Sequence, residues 1–423
     1  MATKDPSGPR VAAIVGSYLC GKTALFESIL VMTGAVGRKG SSKDGYAVGD
    51  GSPEAKARQM STEVNIASTE YLGEPWTFLD CPGSVEMIQE SVNALMVADA
   101  AVVVCEPDAS RALTVAPTLK FLDEKDIPHI LFINKMDTAI SSVKETLEAL
   151  QVHSKRPLLL REVPIRDDDK IIGHVDLVSE RAFKWTPGKP SDLIEIPGEV
   201  KDREQEARTE LLESLADFDD KLLEDLLEDV IPTTEEIYTS LTEDLRQSLI
   251  VPVFFGSAEH DNGVRRLLKA LRHECPEVAA TVERLGIETS GGTLAQVFKT
   301  VHAGHSGMMS FVRVWRGEIE SDGFNALVPG AGLAWREVVI LRAYAKYLRQ
   351  VGIAFSQAYM EQTLAGNAKI TRRIVDLFKT LFDPADHGKS AASRDARAKQ
   401  IRASIAKSLD AVVSADEDRI LRR

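Results

Sequence analysis

One short stretch, GSYLCGKT at residues 16–23, limits what this chain can fold into more than any other feature. It follows VAAIVG, an apolar run typical of a buried strand, and it opens KTALFESILVMTG, which has the pattern of a helix ending at Gly34. Glycines allow backbone N–H groups to converge on phosphate oxygens, and the start of a helix adds its positive dipole end. We therefore predict a phosphate-binding loop at this strand-to-helix junction.

Two side chains of this loop carry the predicted chemistry. Lys22 is expected to reach the β and γ phosphate oxygens, and the hydroxyl of Thr23 is expected to ligate Mg²⁺. Lys22 is also the predicted catalytic cation, because it would stabilise the charge that develops during phosphoryl transfer. The other nucleotide contacts predicted in this stretch are Gly16, Ser17, Cys20, Gly21 and Ala24.

A second motif, DCPG at residues 80–83, ends the predicted strand WTFLD. An Asp at the carboxyl end of a strand can hold Mg²⁺ through water, and a glycine N–H just after it can contact a γ-phosphate. We therefore predict Asp80 as part of a metal site and Gly83 as a nucleotide contact. On this motif alone, the glycine could also serve only a tight turn.

A third motif, NKMD at residues 134–137, stands at the end of the predicted strand HILFIN (129–134). The carboxylate of Asp137 can accept hydrogen bonds from the N1–H and 2-amino groups of guanine, which adenine does not offer. Lys135 is expected to lay its aliphatic stem along the purine face. Asn134 is expected to tie the surrounding loops together.

The fourth motif, GSA at residues 256–258, ends the run VPVFF. A backbone N–H here can meet guanine O6, so Ser257 and Ala258 complete the predicted nucleotide contacts. All four motifs stand at the carboxyl end of a predicted strand, which is where an open α/β sheet places its ligand. Together they predict a site for GTP and GDP with Mg²⁺.

Alternation of short apolar runs with helical stretches through the first 275 residues predicts an α/β domain with a mostly parallel sheet. Residues 200–248 have apolar side chains at helical spacing among many acidic ones, which is typical of a solvated amphipathic surface. Residues 291–319 alternate like β strands with glycine-bearing turns, as at the start of a barrel. Beyond about residue 330 the pattern is helical.

Charge divides the chain near residue 330. Residues 331–423 carry 17 Lys and Arg against 10 Asp and Glu, although the whole chain has a net charge of −13. The acidic part argues against a nucleic-acid groove, so no direct DNA binding is expected. Four separated cysteines without a CxxC pair fit a reducing cytosol. No secretory signal or membrane-spanning run is recognisable, so a cytoplasmic protein without a membrane partner is expected.

The motifs GSYLCGKT, DCPG, NKMD and GSA, with an acidic insert at about 155–248, resemble bacterial elongation factor G and its close paralogues. The run TLAQVFKTVHAGHSGMMSFVRVWRGEI is similar to the opening strands of that family's second domain, a β-barrel. The resemblance covers about residues 11–323. It implies a translational GTPase that has a P-loop domain with an inserted subdomain, binds GTP and Mg²⁺, and has the ribosome as its partner.

Three positions depart from the family pattern. The family has a His after Asp-Cys-Pro-Gly that positions the attacking water, and this chain has Ser84 there. Ser84 could orient a water weakly or cap the following helix, and we favour capping. An Asp of the family's P-loop is replaced by Leu19. The switch sequence reads Arg-Gln-Met-Ser at residues 58–61, where Ser61 aligns best as a Mg²⁺ ligand and Thr62 is the alternate. We therefore expect nucleotide binding with slow hydrolysis.

The segment from about 333 to 423 resembles instead a helical stretch of the large bacterial NAD-specific glutamate dehydrogenases, without their dinucleotide fingerprint. The sequence thus predicts a GTPase domain at 1–280, a truncated β-barrel domain at 288–328 and an α-helical tail at 332–423. We expect a poorly ordered junction near 325–332, because a barrel that lacks strands leaves open edges.

The predicted function is that of an elongation factor G-like GTP-binding protein. Two alternatives stay open on the sequence. One is a nucleotide-gated binding module without significant turnover, which Ser84 favours. The other is a non-functional fusion of two gene fragments.

Overall fold

The computed structural model describes residues 8–41, 46–168, 170–186, 189–302, 308–319, 323–383 and 391–422. The chain divides into two compact units, one ending at Gly291 and the other beginning at Gly292. Within the part of the chain that is described, no helix combines the length and apolarity needed to cross a bilayer.

The described residues form strands in both units. In chain order these are β1 (Arg10–Gly16), β2 (Asn65–Tyr71), β3 (Glu74–Asp80), β4 (Ala100–Cys105), β5 (His129–Ile133), β6 (Leu158–Leu160), β7 (Glu162–Asp167), β8 (Lys170–Asp176), β9 (Arg181–Lys184), β10 (Asp192–Ile194), β11 (Val251–Phe255), β12 (Leu294–His302) and β13 (Met308–Arg316).

Helices connect most of these strands in the first unit and dominate the second. In chain order they are α1 (Lys22–Met32), α2 (Pro53–Arg58), α3 (Ile88–Leu95), α4 (Ala112–Glu124), α5 (Val143–Gln151), α6 (Lys201–Ala216), α7 (Asp220–Leu227), α8 (Thr234–Arg246), α9 (Val264–Glu274), α10 (Val278–Arg284), α11 (Leu327–Ala331), α12 (Trp335–Gln350), α13 (Gln357–Gly366), α14 (Ala368–Phe382), α15 (Ala391–Leu409) and α16 (Ala415–Arg422).

The first unit is built on a seven-stranded sheet in the order β2-β3-β1-β4-β5-β11-β6. All neighbours are parallel except β2 and β3, which form an antiparallel pair at one edge. Leu25 and Phe26 of α1 and Leu267 of α9 join the apolar side chains of the sheet in one buried cluster. The predicted mostly parallel α/β fold is confirmed, and the carboxyl ends of its central strands meet at one edge.

The first unit also contains an inserted subdomain, which has its own sheet and its own core. Strands β7 to β10 form a four-stranded antiparallel sheet in the order β10-β9-β8-β7. Its apolar side chains cluster with those of α6, α7 and α8. Strand β6 lies within the acidic insert predicted at about 155–248, yet it pairs with β11 of the central sheet. The insert therefore begins after β6 rather than before it.

The second unit combines one hairpin with a helical cluster. Strands β12 and β13 pair with each other and with no third strand among the described residues. The helices that follow share a buried core that includes Phe324 and Leu327, which are 1% and 0% exposed. Leu327 lies within the junction predicted at 325–332 and is buried in this core, while the poor order expected for the junction stays a prediction.

Candidate phosphate and guanine site

The phosphate loop runs from the end of β1 into the first turn of α1, and two of its glycines are required by geometry. Gly16 has φ +145°, and a Cβ there would lie 2.1 Å from the carbonyl oxygen of Val104 in β4. Gly21 has φ +92°, and its Cβ would lie 2.3 Å from Nδ2 of Asn134. Side chains are therefore excluded where the loop backbone approaches its neighbours.

Lys22 is buried, and its ammonium group lies within this loop. Its Nζ donates a hydrogen bond to the carbonyl of Ser17 at 2.9 Å. A Cβ at Gly83 would lie 2.2 Å from the same Nζ, so the DCPG turn passes directly beside the lysine. The structure therefore brings the first two motifs together around the ammonium group of Lys22.

Three predicted magnesium ligands lie together at the start of α1. The hydroxyl of Thr23 donates to Oδ2 of Asp80 at 2.9 Å. Oγ of Ser61 is 3.3 Å from Oγ1 of Thr23. Of the two switch residues considered, Ser61 is therefore the one that contacts Thr23, and the alternate Thr62 is not needed for this contact.

The carboxyl group of Asp80 is fully buried at the end of β3, and this burial changes its protonation. Burial raises the pKa of Asp80 to about 7, while the nearby Lys22 ammonium and the Thr23 hydroxyl act in the opposite direction. Oδ1 of Asp80 has no hydrogen-bond partner among the described residues. A buried carboxyl group with one oxygen outside any hydrogen bond leaves a ligand position open, so these residues fit a Mg²⁺ ion.

Asp50 is a site residue that the sequence analysis missed. Its Oδ2 accepts a hydrogen bond from Ser61 Oγ at 3.2 Å. Its Oδ1 accepts from Nδ2 of Asn65 at 2.9 Å, so β2 fixes the carboxylate. Asp50 stands in a glycine-rich stretch without apolar periodicity, and no local pattern distinguishes it from an ordinary loop residue.

The NKMD motif contacts the phosphate loop directly through Asn134. Its Nδ2 donates to the carbonyl of Cys20 at 2.9 Å, and its Oδ1 accepts from the N–H of Ala258 at 2.8 Å. The amide thereby joins three of the four motifs, as its predicted tying role requires. The Ala258 N–H, which was expected to meet guanine O6, is engaged by Asn134 in this structure.

Lys135 contacts the same loop one residue further along. Its Nζ donates to the carbonyl of Leu19 at 2.6 Å and to Oε1 of Glu106 at 2.5 Å. Glu106 also pairs with Arg111, whose guanidinium donates to the carbonyl of Tyr18 at 3.1 Å. Sequence reasoning missed Glu106 and Arg111 because they belong to none of the motifs.

Asp137 and the GSA loop complete the guanine end of the site. Asp137 is one-third exposed, and its Oδ2 is 3.7 Å from Nε2 of His260. Ser257 forms an isolated antiparallel bridge with Asn262, which closes the loop after β11. The N–H of Met136 donates to the carbonyl of Gly256 at 3.0 Å, so the NKMD and GSA loops are joined.

Ser84 lies just after Gly83, at the start of a short 3₁₀ turn. It has the extended backbone of a capping residue, but its side chain makes no capping hydrogen bond. The capping role favoured from the sequence is therefore wrong as far as the hydroxyl is concerned. The N–H of Met87 bonds to the Ser84 backbone carbonyl instead, at 3.0 Å.

A glycine loop between a parallel strand and a helix, a buried lysine inside it and acidic and amide groups at neighbouring strand ends define a P-loop nucleotide-binding domain. The chain belongs to the Elongation factor Tu GTP binding domain family, which matches residues 9–277. It is a GTP-binding protein similar to elongation factor G, so the resemblance found in the sequence is confirmed.

Relatives of known sequence and structure agree with this assignment. An elongation factor G-like protein of Synechocystis is 48% identical over 319 residues, which is 75% of this chain and 48% of the relative. Elongation factor G 2 of Geobacter metallireducens is 28% identical over 331 residues, which is 74% of this chain and 48% of that protein. A crystal structure of a Thermus thermophilus protein is 29% identical with a TM-score of 0.67, and the match covers 74% of this chain and 46% of that one.

The chain spans about half the length of the curated relatives it matches. A second family, described as Glutamate dehydrogenase, helical motif 3, matches residues 319–384. The resemblance of the tail to glutamate dehydrogenases, predicted for about 333–423, is thereby confirmed up to residue 384. The match begins before Phe324, in agreement with the packing of that side chain among the helices.

Proposed function

We propose that this chain binds GTP and GDP together with Mg²⁺ and acts as a nucleotide-controlled protein whose own hydrolysis is slow. The observation that carries the proposal is the pair of hydrogen bonds made by Asn134, to Cys20 and to Ala258. They join the phosphate loop to the base-recognition loops, so one nucleotide can contact both. Asp137, on the same side, offers the carboxylate that selects guanine.

The residues of the phosphate end have separate tasks in this proposal. Lys22, held by the Ser17 carbonyl, is available for the β and γ phosphate oxygens. Thr23, Ser61 and Asp80 would hold Mg²⁺, with Asp50 beside Ser61. The ion supplies electrostatic stabilisation of the charge on the phosphates.

Slow hydrolysis is expected because Ser84 is the residue that follows Gly83 at the phosphate end of the site. In-line attack needs a group that orients and activates the water. Ser84 is short and neutral, so it lacks the reach and charge of the imidazole found at this place in the family. Turnover therefore depends on a group supplied from outside, and a ribosome is the partner that family membership suggests.

A change of base specificity from guanine to xanthine tests the proposed binding mode. We expect the purified chain to bind GDP and GTP with Mg²⁺ and to prefer them to ATP. Asp137→Asn should lose affinity for GDP and gain affinity for xanthosine diphosphate, because the amide can donate to the 2-oxo group of xanthine. Equal competition by ATP for the wild-type site would exclude the guanine assignment.

A nucleotide-gated binding module without significant turnover is the second candidate, and Ser84 favours it. Single-turnover hydrolysis of GTP with and without ribosomes separates the two. An increase in rate on adding ribosomes supports a translational GTPase. Tight GTP binding with no hydrolysis in either condition supports the binding module.

A further inference from the structure

We propose that Lys39 is a positioning residue that fixes the guanine-recognition loop, which here means residues 256–263 after β11. Lys39 belongs to the switch segment, defined as described residues 34–41 and 46–62. The inference rests on the proposed function and adds a residue outside the four motifs. Its consequence is that recognition of the purine and placement of the switch segment depend on each other.

Lys39 makes three contacts with the loop that follows β11. Its Nζ donates to the backbone carbonyl of Ala258 and, at 3.1 Å, to that of Glu259. It also forms an ion pair with Oδ1 of Asp261 at 2.8 Å. Its side chain is 24% exposed and that of Asp261 is 32% exposed, so the pair is largely shielded from water. Three acceptors around one ammonium group satisfy all of its donors.

The acceptor side of this contact is itself fixed to the phosphate-binding helix. Oδ1 of Asp261 also accepts a hydrogen bond from the hydroxyl of Ser28, which is fully buried in α1. Asp261 has φ +63°, a backbone region that Asp adopts at tight turns. Lys39 therefore binds a carboxylate that has little freedom to follow it.

The backbone next to Lys39 is also held to α1. The buried carboxylate of Glu27, also on α1, accepts from the N–H of Gly40 at 2.9 Å and from the N–H of Val48 at 2.5 Å. Gly40 is the neighbour of Lys39, so this anchor places the lysine. The same segment continues to Asp50 and Ser61, which reach Thr23 at the magnesium end.

These contacts give Lys39 a specific task. The loop that it holds carries Ser257 and Ala258, whose N–H groups are bonded to Asn262 and Asn134 in this structure. These are the N–H groups expected near O6 of a bound 6-oxopurine. Loss of the lysine donors frees the loop, and the entropy of ordering it must then be recovered from nucleotide binding. The contact of Asp137 with the 2-amino group does not involve this loop backbone and is expected to survive.

Binding of three nucleoside diphosphates to Lys39→Met tests the proposal. Methionine keeps the aliphatic length and removes the donors. We expect GDP and IDP, which share the 6-oxo group, to lose affinity by the same factor of roughly tenfold, the effect of one charge-assisted contact. ADP should be unaffected. The control is Lys56→Met, which removes an exposed lysine from α2 in the same segment.

A second measurement follows the switch segment itself. Glutamyl endopeptidase can cleave after exposed Glu54 in α2. In the wild type we expect GDP to slow this cleavage more than ADP does, and in Lys39→Met at saturating GDP we expect this difference to disappear. Asp261→Asn, which keeps the side-chain shape, should reproduce both effects if the methionine variant does not fold.

The outcomes separate this inference from the proposed function. A wild-type chain that does not distinguish GDP from ADP would overturn the proposed function. A wild-type chain that prefers GDP, with Lys39→Met and Asp261→Asn indistinguishable from it in affinity and cleavage, would overturn the role of Lys39 alone. A loss confined to GDP, with IDP unchanged, would also contradict it.

Discussion

Nδ2 of Asn134 donates a hydrogen bond to the backbone carbonyl of Cys20 at 2.9 Å, across 114 positions of sequence. The phosphate loop after β1 and the base-recognition loop after β5 are therefore one structural unit. Lys135 repeats the connection at Leu19, at 2.6 Å. Asn134 and Lys135 therefore hold the two loops together at adjacent residues of the phosphate loop.

Replacement of this amide should weaken nucleotide binding strongly. In Asn134→Ala both hydrogen bonds are lost, and the Cys20 carbonyl and the Ala258 N–H lose a buried partner. We expect GDP affinity to fall by about 10- to 100-fold. Fluorescent GDP titration measures this, with Asn93→Ala on helix α3 as the control. Unchanged affinity would show that the two loops hold their places without the amide.

Addition of one methyl group at Gly83 should displace the lysine of the phosphate loop. Alanine there would place Cβ 2.2 Å from Lys22 Nζ and 2.8 Å from the Ser17 carbonyl. We expect affinity for GTP to fall by about tenfold or more, while affinity for guanosine changes little. Gly198→Ala is the matched control, because nothing lies within 4 Å of its added Cβ. Equal losses for GTP and guanosine would indicate general misfolding.

Removal of the Ser84 hydroxyl should have little effect on hydrolysis. Its side chain makes no capping bond, so Ser84→Ala removes no interaction at that position. We expect the single-turnover rate of GTP hydrolysis to change by less than about threefold, with stability preserved. A hundredfold loss would show that the hydroxyl orients the attacking water after all.

Stability should depend on pH through Glu162, which is buried between the central sheet and the insert. Burial raises the pKa of Glu162 from its ordinary value of 4.5 to about 8. The folded state keeps the proton that the unfolded state releases, so this stabilisation is complete below about pH 4.5 and is lost as the pH rises towards 8.

Glu162→Gln should remove this dependence. The amide oxygen can still accept from the N–H of Phe255, which Glu162 does at 2.8 Å. Relative to wild type, we expect the variant to gain on the order of 3 kcal/mol in free energy of unfolding between about pH 5 and about pH 8. Urea denaturation at both pH values measures the gain, with exposed Glu210→Gln as the control. Parallel pH profiles for wild type and Glu162→Gln would contradict the assignment.

The central strands could be predicted because they are buried on both faces. Strands β1, β4, β5 and β11 appear in the sequence as continuous apolar runs, as parallel strands between helices do. Strand β2, NIASTEY, is half exposed at an antiparallel edge and has no comparable run. Short β6 was placed in the insert, because only its pairing with β11 assigns it to the main sheet.

The motif residues of the site could also be predicted, because their chemistry is local to short sequence patterns. Asp50, Glu106, Arg111 and Lys39 could not. Each acts through a partner outside its own short segment, as Arg111 does with Tyr18 over 93 positions and Lys39 with Asp261 over 222 positions. Such contacts depend on how loops meet after the sheet has formed, and no local periodicity encodes them.

Burial of Phe324 and Leu327 among the helices gives the helices of the second unit an apolar core of their own. A helical segment with an apolar core of its own does not depend on the nucleotide-binding domain for its buried contacts. The hairpin β12–β13 is the exposed element, because its outer edges lack, among the described residues, the strands that would shield them. Engineering aimed at solubility would therefore begin there, and not within the helices or the nucleotide domain.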